Sequence, residues 1–227
     1  MIAITTVFVA STRRDDKPMK QTTTQGQDKS QQTANTEPSQ AQPTVGRFVE
    51  IPYEEMTPEQ QEACRSLIDA EGLAPGAALP SAPLKIWISN SKLSKAVAPL
   101  ILHFRPSHHS LSQRERELAV CIIASKWHTP YTIYAHETFA KNSGMPPEMI
   151  DAVISGLPAS FANEREQVIY EMATALANSR WISKGLYDRA VKALGHTGIT
   201  DVTVLMGFYT AVSLTVGFYD VPAPVQG

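Results

Sequence analysis

A carboxylate and an imidazole stand at the two ends of an otherwise apolar and aromatic stretch of the sequence. Glu117 opens the segment ELAVCIIASKWHTPYTIYAH and His136 closes it. A histidine that is hydrogen-bonded to a carboxylate has a fixed tautomer, and an unperturbed imidazole titrates close to neutral pH. Such a pair could transfer a proton in general acid–base catalysis. The alternative is a structural contact in a helical core, because carboxylate–histidine pairs also occur without catalysis.

Two predicted helices carry this pair of residues. The segment LSQRERELAVCIIASKW predicts a helix over 111–127, and TPYTIYAHETFAKNSG predicts a second helix over 129–144 that Thr129 caps. The connection between them is short, so we expect an antiparallel helix hairpin. At steps of three and four residues, Thr129, Thr132 and His136 share one face of the second helix. We expect this face to meet the carboxylate of the preceding helix.

Several other side chains are candidates for substrate binding near the hairpin. Trp127 and Tyr131 could exclude water, and the Tyr131 hydroxyl could donate a hydrogen bond to an oxyanion. Tyr209 could reach the same place from the last predicted helix. Arg105 could bind a substrate carboxylate with two hydrogen bonds, or it could form a surface salt bridge. His128 could line the site or only cap the helix before it. The predicted binding residues are Arg105, Trp127, His128, Tyr131, Thr132 and Tyr209.

The spacing around the pair resembles the motif of one known family. Eleven residues separate Glu117 from Thr129, two separate Thr129 from Thr132, and three separate Thr132 from His136. Together with the segments GMPPEMIDAVISG and GITDVTVLMGFYTAVSLTVGFYDVP, this pattern resembles the AhpD-like, carboxymuconolactone decarboxylase family over residues 50–222. The resemblance implies an all-α domain of about eight helices, with the site on a central helix hairpin.

That family divides by chemistry, and two positions of its motif indicate the branch. The alkylhydroperoxidase branch carries cysteines where this chain has Thr129 and Thr132. A threonine hydroxyl forms neither a thiolate nor a disulfide, so we expect no peroxidase activity of the family type. The decarboxylase branch resembles this chain more closely. It implies a lyase that needs no metal and no organic cofactor, acts on a small carboxylated lactone or ring acid, and uses His136 and Glu117 as a proton relay.

Other reactions and other classes of function stay open. Many decarboxylases of the family carry a glutamate at the position of Thr132, so a related elimination or isomerisation is an alternative reaction. An alkylhydroperoxidase-like, peroxiredoxin-type protein is a second alternative, which the missing cysteine pair disfavours. A non-catalytic helical oligomer is the third alternative. The presence of both Glu117 and His136 favours an enzyme over the non-catalytic oligomer.

The remainder of the chain is also typical of helices, and no strand pattern of useful length is found. The further predicted helices span 57–72, 91–104, 146–156, 163–180, 183–195 and 200–220. The proline-rich segment 72–90 is predicted as a loop. The helix over 200–220 is apolar almost all round, which would also suit a membrane span. Because Thr, Ser and Tyr residues interrupt it, we expect a buried helix that is partly covered by another subunit, and no membrane partner.

The first 46 residues differ in composition from the chain that follows. Gln, Thr and Ser dominate residues 15–46 and large apolar side chains are nearly missing, which predicts a disordered tail over 1–46 and one helical domain over 47–227. The arginines follow the apolar run at the N-terminus, the reverse of a secretory signal. Met19 is an alternative start of translation.

Charge and cysteine content limit the partners. The net charge is −2 and no basic cluster is present, which disfavours nucleic-acid binding. Cys64 and Cys121 are far apart and belong to no zinc-type spacing, so we expect no metal site and a reduced, cytoplasmic protein. The expected partners are a small acidic substrate and further copies of the chain. The family resemblance implies a trimer or a hexamer.

Overall fold

The computed structural model describes residues 43–74, 77 and 79–224. The predicted tail lies almost wholly outside these residues, so its disorder stays a prediction. A first strand, Thr44–Val45, precedes Arg47, and the side chain of Val45 is buried. The described fold therefore begins slightly before the predicted boundary.

Helices make up most of the described chain, which confirms the predicted all-α class. Strands β1 (Thr44–Val45) and β2 (Phe48–Val49) form a small antiparallel pair, and a single 3₁₀ turn covers Tyr53–Glu55. The helices are α1 (Pro58–Glu71), α2 (Ala82–Trp87), α3 (Ser91–His103), α4 (Gln113–Trp127), α5 (Pro130–Asn142), α6 (Pro147–Ile154), α7 (Glu164–Ala177) and α8 (Lys184–Phe218).

Capping residues explain where several helices begin. The Thr57 hydroxyl accepts a hydrogen bond from the backbone of Gln60, whose side chain accepts one from the backbone of Thr57. Ser112 and Glu115 form the same reciprocal box at the start of α4. Thr129 occupies the N-cap position of α5, but its side chain makes no capping hydrogen bond there. The predicted capping role of Thr129 is therefore wrong in its chemistry, although the helix begins where expected.

Two features differ from the predicted helices. The segment predicted as a loop contains α2, whose six residues are too few for a periodic pattern, and Leu84, Ile86 and Trp87 are buried there. Tertiary packing thus stabilises a turn of helix that local sequence does not indicate. The two predicted helices over 183–195 and 200–220 form one span, α8, with non-helical backbone at Gly195.

Helix α4 lies at the centre of the fold and contacts α5, α6, α7 and α8. Side chains all around its middle are fully buried, including Leu118, Ala119 and Val120. Its sequence predicts one buried face, whereas the structure buries every residue from Glu117 to Ser125. A carboxylate at Glu117 is consequently surrounded by protein on every side.

Helix α8 is long and apolar enough to cross a membrane when only length and composition are considered. It packs on α4 and α7, and its residues Val202 and Leu205 are fully buried. Val204, Leu214 and Phe218 are exposed on its other side. The described chain by itself therefore covers only one side of this helix, and coverage of the other side by a further subunit stays a prediction.

Candidate active site

The helix hairpin of α4 and α5 brings the carboxylate and the imidazole into contact. His136 Nδ1 lies 2.6 Å from Glu117 Oε2, and the Glu117 side chain is completely buried. His128 has left-handed backbone (φ 49°), which reverses the chain between the two helices. The contact agrees with the spacing of these residues in the sequence, and their catalytic role stays a prediction.

Two further groups hold the other oxygen of the Glu117 carboxylate. Gln113 Nε2 donates a hydrogen bond to Glu117 Oε1 at 2.5 Å, and Arg116 Nη1 donates to the same oxygen in a salt bridge. A buried ionised carboxylate is costly unless it is paired and hydrogen-bonded. Arg116 and Gln113 supply such partners to the Glu117 carboxylate.

Arg116 continues this network to the last helix. Its Nη2 donates to the Tyr209 hydroxyl at 2.7 Å, and its Nε donates to the carbonyl oxygen of Phe104 at 3.1 Å. The Tyr209 ring meets the His136 ring edge to face, with 4.8 Å between the centroids. Burial raises the pKa of Tyr209 to about 12, so its phenol keeps its proton at neutral pH. The result is a continuous chain of contacts from His136 through Glu117 and Arg116 to Tyr209.

A cavity of about 460 Å³ lies against this chain of contacts. A volume of this size suits a small molecule. Its polar lining consists of Glu71, Ser81, Arg105, Gln113, Arg116, Tyr131, Thr132, His136 and Tyr209. Its apolar lining includes Leu84, Ile101, Phe104, Phe139, Phe208 and Val212. The polar groups therefore gather beside an otherwise largely apolar space.

The structure brings four of the six predicted binding residues to this cavity, which are Arg105, Tyr131, Thr132 and Tyr209. Trp127 and His128 were also expected there, but neither lines this cavity. Trp127 is 42% exposed and lies in a groove beside Leu176 and Met206, and His128 is exposed in a separate pocket beside Asn178. Both belong to the elbow of the hairpin, which faces other surfaces, whereas the cavity lies further along α5.

Arg105 approaches the cavity across the end of α1. Gly72 ends that helix with left-handed backbone (φ 70°), and a Cβ placed on it would lie 2.4 Å from the Arg105 guanidinium carbon. The missing side chain thus leaves room for the guanidinium. The backbone of Arg105 bonds to Leu102 and His108, whereas its guanidinium has no hydrogen-bond partner among the described residues, so the side-chain donors can bind a ligand.

The two threonines at the cysteine positions of the redox branch are both buried. The Thr132 hydroxyl has no hydrogen-bond partner among the described residues, and the Thr129 hydroxyl lies 3.5 Å from that of Ser213. Cys121 is fully buried on α4, and this burial raises its pKa well above the ordinary value for a thiol. Such a thiol is a poor nucleophile, because the thiolate is the reactive form.

Metal ligands do not cluster in the part of the chain that the structure describes. No group of three or more His, Cys, Asp or Glu side chains there is arranged to hold an ion. The prediction that catalysis needs neither a metal nor a cofactor is not tested by this observation.

Two residues of the site, Arg116 and Gln113, were not predicted from the sequence. Gln113 stands four residues before Glu117 on the same helix, and side chains at this spacing are neighbours. The contact between these two residues could therefore have been predicted from the sequence. Adjacent residues on a helix normally point apart, and nothing in the sequence indicates that Arg116 folds back onto Glu117. The positions of Tyr209 on α8 and of the Phe104 carbonyl oxygen after α3 explain where that guanidinium lies.

Comparisons with known proteins support the fold. No family model matches this chain, and no curated protein matches it. Among solved structures, an uncharacterized peroxidase-related protein from Silicibacter sp. TM1040 is 15% identical with a TM-score of 0.61, over 82% of this chain and 95% of that chain. The debrominase Bmp8 is 13% identical with a TM-score of 0.55, over 74% of this chain and 87% of its own, both without ligand and with 2,3,4-tribromopyrrole.

This likeness shows a shared fold. The chain is an all-α protein of eight described helices, as its sequence predicts, and it shares this helical fold with these solved structures. At 13% to 15% identity, the comparisons carry no activity over to this chain, so its chemistry has to be argued from the site.

Proposed function

We propose that this protein is a cofactor-independent enzyme that transfers a proton on a small carboxylated substrate, with His136 as the acid–base group. The observation that carries the proposal is the buried hydrogen bond between His136 Nδ1 and Glu117. No described residue bonds to His136 Nε2, and the His136 side chain lines the cavity. The second ring nitrogen is therefore available to a substrate.

The hydrogen bond to Glu117 decides which ring nitrogen of the neutral imidazole carries the proton. In the neutral ring the carboxylate accepts the Nδ1 proton, so Nε2 holds the lone pair that can take a proton from carbon. After this transfer the carboxylate stabilises the imidazolium, which can return the proton to another carbon. One histidine could thus serve both halves of an isomerisation or the protonation step after a decarboxylation.

The guanidinium of Arg105 supports an acidic substrate. Arg105, Arg116 and Glu71 all line the cavity, and Arg116 is paired with Glu117. The Glu71 carboxylate accepts a hydrogen bond from the Ser81 backbone, so Arg105 is the cation without a partner among the described residues. The Arg105 guanidinium has the fork of donors that binds a carboxylate with two parallel hydrogen bonds. We infer that Arg105 holds the substrate carboxylate and that the ring of the substrate lies on the apolar lining.

Decarboxylation of a carboxylated lactone or ring acid is the reaction that we propose first. In that step the bond to the carboxyl carbon breaks, carbon dioxide leaves, and the electron pair stays on the ring as a dienolate that the His136 imidazolium protonates. The motif resemblance supports this choice, and Thr132 keeps an elimination or isomerisation as the alternative reaction. Each of these reactions needs the same proton transfer.

A redox function is the alternative suggested by the names of the structural relatives. One is described as peroxidase-related and another as a debrominase. Thr129 and Thr132 offer no thiol, and the buried Cys121 is not activated. We therefore rank redox chemistry below acid–base chemistry. Stoichiometric consumption of a thiol in the presence of a hydroperoxide would reverse that order.

The test of the proposal is a screen of carboxylated lactones and ring acids. Carbon dioxide release would report decarboxylation, and deuterium uptake from D₂O at carbon would report any proton transfer. For a substrate found in this way, His136→Gln should lower turnover by roughly 10²- to 10⁴-fold, the usual contribution of a general acid or base. The matched control is His103→Gln, which alters a histidine–carboxylate pair outside the cavity. Unchanged turnover in folded His136→Gln would refute the proposal.

We also propose that the chain is a homo-oligomer, in the trimeric or hexameric form that the family resemblance implies. The exposed Val204, Leu214 and Phe218 of α8 support self-association, because large apolar side chains on one helix face are costly in water. Analytical ultracentrifugation of the wild type and of Phe218→Asp tests this proposal. A monomeric wild type at micromolar concentration would contradict it.

A further inference from the structure

We propose that Tyr209 donates a hydrogen bond to the substrate oxygen on which negative charge develops, and that Arg116 positions Tyr209 for this task. The inference rests on the proposed function, since it names the group that works opposite the base. It also narrows the substrate to a carbonyl compound, either a ketone or a lactone. The reacting carbon would be the one next to the carbonyl group.

The first observation concerns the proton of the Tyr209 hydroxyl. The oxygen accepts a hydrogen bond from Arg116 Nη2 at 2.7 Å. A phenol also has one proton to donate. No described residue accepts it, although Tyr209 is only 8% exposed and lines the cavity. A buried donor without a partner is unfavourable, and a substrate oxygen in the cavity would satisfy it.

The second observation concerns how firmly the donor is held. The Arg116 guanidinium bonds to the Phe104 carbonyl oxygen after α3, to Glu117 on its own helix and to Tyr209 on α8, so these three acceptors fix its position. Charge-assisted hydrogen bonds of this kind are stronger than those between neutral groups. A cation that donates to the phenol oxygen also makes the remaining O–H a better donor. Arg116 acts through Tyr209 and is thus a positioning residue.

The third observation concerns the protonation state of the phenol. Burial raises the pKa of Tyr209, and the positive charge of Arg116 only partly opposes this rise. Tyr209 therefore remains a neutral donor over the range in which an imidazole titrates. A hydrogen bond from a preorganised neutral donor costs no reorganisation when charge develops.

Base and donor are close enough to act on one substrate. The rings of His136 and Tyr209 are perpendicular and in contact, with an interplanar angle of 86°. When Nε2 takes a proton from the carbon beside a carbonyl group, the C–H electrons form the enolate double bond and the carbonyl oxygen becomes negative. Tyr209 donates to that oxygen and keeps its proton. In a decarboxylation the electrons of the broken C–C bond reach the same oxygen.

The experiment uses 4-nitrophenol as an oxyanion probe, which requires no turnover. Binding is followed by the visible absorbance of the phenolate at a pH below the pKa of the free phenol. We expect the wild-type protein to increase the phenolate absorbance, because it binds the anion. Tyr209→Phe should bind the phenolate roughly ten- to a hundred-fold more weakly, the usual worth of a hydrogen bond to a charged group.

Two control variants separate the possible outcomes. Tyr170→Phe makes the same chemical change at a tyrosine outside the cavity, where the hydroxyl bonds to Ala159 and Leu157, and should bind like the wild type. His136→Gln reports how much of the binding comes from the imidazolium. Equal phenolate affinity in Tyr209→Phe and the wild type would overturn the inference. So would a loss confined to His136→Gln, since the imidazolium would then hold the anion.

The role of Arg116 is tested by the same spectroscopic signal. Arg116→Gln should weaken phenolate binding, and Arg116→Lys should recover part of it, because lysine restores the positive charge without the fork of donors. Undiminished binding in Arg116→Gln would remove Arg116 from the proposal. The phenolate assay measures binding and needs no proton transfer by His136. Tyr209-dependent binding without any proton transfer to a substrate would therefore refute the proposed function and leave the inference about Tyr209 intact.

Discussion

Two histidine–carboxylate pairs in this protein have similar distances and different surroundings. His136 Nδ1 lies 2.6 Å from Glu117, and His103 Nε2 lies 2.9 Å from Asp201. In the first pair the side chains are 8% and 0% exposed, whereas the His103 side chain is 44% exposed. The first pair borders the cavity and the second does not. An imidazole and a carboxylate thus form a candidate proton relay in one place and a partly exposed contact in another.

The partners of each carboxylate explain this difference. Glu117 is bound by Arg116 and Gln113, which connect it to the cavity lining. Asp201 instead accepts hydrogen bonds from the backbone nitrogen of Ser110 at 2.9 Å and from its hydroxyl at 2.6 Å. These bonds tie the loop before α4 to α8. The second pair therefore holds two segments together, and the chemistry of a pair depends on what else reaches it.

The largest expected effect is the loss of the buried carboxylate. Glu117→Ala removes the partner of the largely buried Arg116 and of His136, so we expect the free energy of unfolding to fall by about 3–5 kcal/mol. Urea denaturation followed by circular dichroism measures it. Glu117→Gln keeps the shape and an acceptor and should cost less. If Glu117→Ala lowered the free energy of unfolding by less than about 1 kcal/mol, the contacts of the Glu117 carboxylate would not stabilise the fold as described.

The corresponding change in the second pair should be milder. Asp201→Ala leaves the Ser110 backbone nitrogen without its acceptor, at a site that is partly open to water, and we expect a loss of about 1–3 kcal/mol. The same denaturation experiment measures it. If this variant lost as much stability as Glu117→Ala, burial would not be what separates the two pairs.

Acid should weaken the second pair in a predictable way. Burial alone would raise the pKa of Asp201, but hydrogen bonds from Ser110 and His103 outweigh it and hold the pKa below its ordinary value. The stabilisation is then fully present above the ordinary aspartate pKa of about 3.9 and is lost as the pH falls through the lower native pKa. The stability difference between the wild type and Asp201→Asn should stay constant from about pH 7 to 5 and shrink below about pH 4. A difference that grows in acid would contradict this assignment.

The smallest expected effect is that of the exposed histidine. His103→Gln removes one hydrogen bond to Asp201 at a side chain that is nearly half exposed, and such pairs contribute at most about 1 kcal/mol. Thermal unfolding measures the change, and turnover of any substrate found in the screen should be unaffected. A loss of turnover comparable with that of His136→Gln would show that the second pair also serves the reaction.

Local rules were sufficient for much of this fold. Caps at Thr57 and Ser112 mark where α1 and α4 begin, and Gly72 marks where α1 ends. Each signal acts within one turn of helix, so it can be recognised without knowledge of the rest of the chain. The contact of Glu117 with His136 could be predicted for the same reason, because helical spacing and a short connection relate them.

Other features depend on packing between distant segments. The short α2 forms where its apolar side chains meet a core built by other helices, and local propensity does not indicate it. Trp127 and His128 were assigned to the site on their closeness in sequence, but the elbow of the hairpin faces other surfaces. Where the backbone reverses, closeness along the chain is thus a poor predictor of which residues line the same cavity.

The sequence by itself determined the class of fold, the hairpin and the residue types that could move a proton. Helix periodicity and capping are local properties, so they can be recognised in the sequence without knowledge of the tertiary packing. Only the tertiary structure decided that Arg116 turns back to Glu117 and meets Tyr209, 93 positions later in the chain. The position of a guanidinium depends on which acceptors surround it. Those acceptors come from α8 and the end of α3, which meet at the cavity only after the helices have packed.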